Sequence, residues 1–108
     1  MDEKIIFTSK DYSDVLKEQF QIPVKNLELI LAKLNNADLI IKEAFLDILA
    51  GKKVELIIRE VPYSLLVSDL KMTPLAALLT LDWIIREPEK ALRSLRKDIL
   101  RWKKGEMI

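Results

Sequence analysis

A chain of 108 residues, half of them hydrophobic, is long enough for one compact domain with a real core and too short for two. Its 18 Lys and Arg nearly balance 17 Asp and Glu, so net charge implies no overall attraction to nucleic acid or to an anionic membrane. The absence of both Cys and His excludes disulfides, thiolate metal sites and cysteine nucleophiles, and removes the commonest general base and the usual transition-metal ligands.

The charge is unevenly placed. From Arg86 onward there are eight basic and four acidic residues, a net of +4, against ten and thirteen before it, a net of −3. An anion-seeking surface is therefore expected at the C-terminal end. The opening Met1-Asp2-Glu3-Lys4 is acidic with no long apolar run behind it, so no secretory signal is expected. The longest apolar run, about 12 residues around Asp82, falls short of the ~20 needed to cross a bilayer. The expectation is a cytoplasmic protein without membrane contact, and abundant Leu, Ile, Lys and Glu fit a thermophilic source.

In chain order, Lys4–Thr8 reads as a short β-prone run. Thr8 and Asp11 have capping-box spacing, and Tyr12, Val15, Leu16, Gln19 and Phe20 follow at helical spacing, which predicts a helix over Ser9–Phe20. Pro23 breaks it. Val24, Leu27, Ile30, Leu31 and Leu34 then share one face of a second helix ending at Asn35-Asn36. Asp38–Gly51 has an N-cap, helical spacing at Ile41, Ala44, Phe45, Ile48 and Leu49, and a glycine stop, predicting a third helix; the alternative is a strand at Leu39–Lys42 entering a loop. Lys52–Val61 alternates as a strand and is expected to pair with Lys4–Thr8. Pro62 restarts a short helix or turn, with Tyr63, Leu66, Val67 and Leu70 helically spaced.

Thr73-Pro74 marks the start of a central helix that Pro88 ends. Only Thr80 and Asp82 interrupt its apolar residues, so it belongs in the core. The last helix is expected from Pro88 to Lys104, with Gly105 as its stop. Leu92, Leu95, Ile99 and Trp102 form a narrow seam along it, which packs on the central helix or forms a dimer interface with a second copy.

Phe20–Ile41 carries the most specific pattern: Ile22-Pro23, then Leu27, Ile30, Leu31 and Leu34, then Ala37, Leu39 and Ile40. It resembles the second and third helices of winged helix-turn-helix transcription regulators, over about residues 4–61. The resemblance implies a strand before the motif and one after it, here Lys4–Thr8 and Val54–Val61, with Glu43–Lys53 as the wing. It also implies that Lys25, Asn26 and Lys33 reach the major groove and that Lys52 and Lys53 meet phosphates.

The C-terminal stripe stands on its own residues. Arg93, Lys97, Arg101 and Lys104, flanked by Arg96 and Lys103, are placed to track a phosphate backbone. The competing reading is structural: such residues favour the dipole at a helix C-terminus, and Glu89 is placed to pair with Arg93. A catalytic site is hard to assemble. Asp11, Asp14 and Glu18 share a helix face that suits a hydrated Mg²⁺, but acids early in a helix ordinarily complement its dipole. Ser64 and Ser68 have no His to activate them, and with Gly51 and Gly105 the only glycines there is no phosphate-binding glycine loop.

The sequence thus predicts one mainly α domain of the α+β type over residues 1–108. It has a helix-turn-helix or winged-helix-like half (4–61) with a small two-stranded sheet, closed by a C-terminal helical hairpin (62–104). The function expected is a non-enzymatic, dimeric DNA-binding transcription regulator or nucleic-acid-associated protein, without cofactor or metal, whose partner is double-stranded DNA. The alternative is a protein-protein assembly subunit with no direct nucleic-acid contact.

Overall fold

A computed structural model describes the backbone over residues 5–106 and the side chains over residues 5–100. Within that span the fold is mainly α with one small antiparallel sheet. The first helix, α1 (Ser9–Glu18), begins where the sequence places it. The Thr8 hydroxyl oxygen accepts from the Asp11 N–H at 3.3 Å, and the same hydroxyl donates to the Asp11 carboxylate at 2.8 Å. It stops short of the expected Phe20, because Gln21 turns into the left-handed region (φ 52°) and the Ile22 N–H closes back on the Leu16 carbonyl at 3.0 Å.

Pro23 opens a 3₁₀ turn over Val24–Asn26 that leads into α2 (Leu27–Asn36). Asp38 then caps α3 (Leu39–Leu49), its carboxylate accepting from the Ile40 N–H at 3.1 Å. Of the two readings for this stretch, the helix is the one found. Its end is a Schellman closure: Gly51 takes φ 76°, its N–H reaches the Ile48 carbonyl at 3.0 Å, and the Lys52 N–H reaches that of Asp47 at 2.8 Å. Glu43–Lys53 is therefore no wing. Ala44 and Phe45 are buried, and the stretch is part of the core.

The expected pairing of Lys4–Thr8 with Lys52–Val61 does not form. Lys4 lies outside the described residues, and Ile5–Thr8 is no strand. Instead the Asn35 side chain accepts from the Phe7 N–H at 2.6 Å and donates to the Phe7 carbonyl at 2.8 Å, while Lys42 donates to the Ile5 carbonyl at 2.9 Å. Side chains from α2 and α3 have replaced the partner strand. Lys52–Val61 folds back on its own continuation: β1 (Ile57–Ile58) pairs with β2 (Val61–Pro62), Ile57 opposite Pro62 and Ile58 opposite Val61. Arg59 and Glu60 make the turn with φ 46° and 69°, the two positive values of a type I′ hairpin.

A π-helical segment, Leu65–Asp69, follows and buries Leu66. Next come α4 (Pro74–Arg86), capped by the Thr73 hydroxyl, and α5 (Pro88–Glu106), which runs through Gly105 instead of stopping there. The greasy helix is central as expected, with Leu75, Ala77, Leu78, Leu81 and Ile84 buried. Packing runs in order: α1 on α2, α2 on α3, α3 on α4, α4 on α5. An edge-to-face cluster ties the start of the chain to α3, with Phe7 and Phe45 ring centres 5.2 Å apart.

Asp82 is the one buried charged residue among those described. Its carboxylate accepts from the Asp38 N–H at 2.9 Å and from the guanidinium of Arg86, one helical turn later. It fastens α4 to the α2–α3 junction and is thereby a structural residue.

Candidate functional site

On α2 the apolar spacing buries Leu27, Leu31 and Leu34, which turns Glu28, Leu29, Ala32, Lys33 and Asn36 outward. Lys25 and Asn26, in the preceding turn, are also exposed. The helix pair is not entombed: its outer side is free among the described residues. That side is mixed. Val24 and Leu29 are 68% and 57% exposed, and Leu39 and Ile40 at the start of α3 are exposed too, so lysines and apolar side chains alternate there.

Lys52 and Lys53 are exposed just beyond the end of α3. They lie at the mouth of a helix-terminal loop, not on a wing.

On α5 the buried positions are Ala91 and Leu95. Lys90, Arg93 and Lys97 stand on the opposite face at i, i+3 and i+7, with Arg96 beside them, all exposed. Arg101 and Lys104 take the next positions of the same register, and their side chains lie outside the described residues. Lys90 was not singled out from the sequence, where it is separated from the stripe by an Ala-Leu pair; the register of the completed helix brings it in. The expected Glu89–Arg93 pair is not formed. The ion pair found among the described residues joins Arg86 to Asp82, and Lys90, Arg93, Arg96 and Lys97 have no carboxylate partner among those residues.

The expected dimer seam divides. Leu95 is only 3% exposed and belongs to the core of its own chain, Leu92 is half-buried against that core, and Ile99 is half-buried without belonging to it. Trp102 falls outside the described side chains. At 19 residues α5 is about 28 Å long against about 20 Å for the 13-residue α4, so its last turns outrun the helix it packs on. Leu100, where that overhang begins, is 59% exposed.

The two basic groups are not brought together. α3 and α4 stand between α2 and α5 in the packing order. Nor do carboxylates gather: no set of three that suits a metal ion occurs among the described residues, and one oxygen of Asp11 is engaged by Thr8. No helix among the described residues is long and apolar enough to cross a membrane. Compared with known protein families, with characterised proteins and with solved structures, the chain matches none.

Proposed function

We propose that the chain is a non-enzymatic, cytoplasmic nucleic-acid-associated protein that holds duplex DNA by its phosphates along the outer face of α5. The observation that carries this reading is the row Lys90, Arg93, Arg96 and Lys97, exposed and free of carboxylate partners among the described residues, on the helix where the sequence concentrates its positive charge. A helix of this kind neutralises phosphates and releases their counterions, without reading bases. The overhanging end of α5 is the place where a second copy would add its own row, giving a dimer with twice the cationic length.

The measurement is a mobility shift or anisotropy titration of a random duplex against salt. Four phosphate contacts give a slope of log K on log salt of about −4. Arg93→Glu with Lys97→Glu removes binding at moderate salt and halves that slope or more. If the double variant binds as the wild type does, or if neither binds at low salt, the nucleic-acid reading fails.

A second reading has its own support. Val24, Leu29, Leu39 and Ile40 leave an exposed apolar set on the outer side of α2 and the start of α3, which suits docking to another protein in a larger assembly. Under that reading Leu29→Lys abolishes association with the partner and leaves folding stability within about 0.5 kcal/mol of wild type.

A further inference from the structure

A cavity of about 390 Å³ opens between the end of α3, the loop that follows it and the segment leading into the π-helical turn. Its polar lining is of one kind. Lys52 and Lys53 line it from the loop, and Tyr63, Ser64 and Ser68 from the segment that leads into the π-helical turn and through it; no acidic residue lines it. Among the described residues none of these five side chains is held by an internal hydrogen bond or ion pair. All five are donors, and desolvation by burial raises the Tyr63 phenol above its ordinary range. The remaining wall is apolar, from Ile48, Val54 and Val67.

We propose that this cavity is a binding site for a small organic phosphate. The ammonium groups of Lys52 and Lys53 take the charge, the hydroxyls of Ser64 and Ser68 donate to the phosphate oxygens, and the apolar wall receives the carbon skeleton. Two lysines match the −1.5 to −2 charge of a phosphate monoester at about pH 7, whereas a carboxylate would leave one of them unneutralised. The volume lies within the range of small-molecule sites, roughly 300–1,000 Å³. One wall is a π-helical segment, a rare element that recurs at functional sites. The site shares no residue with α5, so it stands or falls separately from the duplex reading.

The test is a titration of the full chain with phenyl phosphate, followed by backbone amide NMR, with benzoate as the monoanionic control. Saturable shifts are expected at residues 51–54 and 63–68, with phenyl phosphate binding more tightly than benzoate. Lys52→Gln with Lys53→Gln weakens it at least tenfold, and Ser64→Ala with Ser68→Ala severalfold. Both sets of positions are at the surface, and an unchanged thermal midpoint checks that the variants fold. Arg93→Glu with Lys97→Glu binds phenyl phosphate as wild type does. The inference is overturned if the lysine variant binds unchanged, if the response never saturates, or if the amides of α5 shift as much as those of the cavity.

Discussion

Asp82 shows how a single polar residue in an apolar helix comes to be tolerated. A carboxylate removed from water must be fully hydrogen-bonded, and here one oxygen meets a backbone N–H and the other a guanidinium. Arg86 remains 55% exposed, so the ionic part of the pair is screened by solvent and the backbone bond carries more of the effect. Asp82→Ala strands the Asp38 N–H in a packed junction and is expected to cost about 2–3 kcal/mol in urea unfolding. Asp82→Asn, which keeps an acceptor facing Asp38, costs less, and Arg86→Ala under about 1 kcal/mol. An Asp82→Ala variant as stable as wild type would show that the α3–α4 junction does not depend on this carboxylate.

At the scale of elements, the start of the chain is the informative failure. Ile5–Thr8 has the composition of a strand, and its backbone is bonded as a strand's would be, but to a side-chain amide. Asn35 offers one donor and one acceptor in a plane, as a peptide unit does, and so substitutes for one rung of a ladder. Losing both bonds in Asn35→Ala is expected to cost about 2 kcal/mol, at the usual ~1 kcal/mol per bond. Hydrogen exchange at Phe7 should rise sharply while the β1–β2 hairpin keeps its protection. Were the two segments paired as strands, both would lose protection together. The hairpin turn was equally hard to foresee, because Arg59-Glu60 lacks the Asn and Gly that normally announce two left-handed residues in succession. The helix starts and the stop of α3 were legible, since Thr8, Asp38, Gly51, Thr73, Pro74 and Pro88 each act on backbone groups within a few residues of themselves, whereas α1 ends before Phe20 and α5 passes Gly105.

At the scale of the whole molecule, the packing order separates what the sequence could only list side by side. Lys33 lies on α2 and Lys25 in the turn before it, and α3 and α4 stand between that helix and the α5 row in the packing order. A duplex held by α5 alone is expected to make no use of α2. Lys25→Gln with Lys33→Gln should leave the salt slope of duplex binding unchanged, measured beside the α5 variant. A fall of about 2 in its magnitude would place both helices on one face of the DNA and return α2 to the role the helix-turn-helix resemblance implies.

The helix starts and the basic face of α5 follow from interactions and spacings that reach no further than a few helical turns, and the central place of α4 from its nearly unbroken apolar sequence; for that reason they can be read along the chain. Which backbone groups Asn35 and Asp82 satisfy cannot, because their partners lie 28 and 44 residues away in sequence. The same holds for Ile5–Thr8, which pairs with no strand, and for the two helices that stand between the basic groups in the packing order. Such pairings are settled by which apolar faces meet when the core closes, and the polar groups then bond to whatever that closure brings within reach.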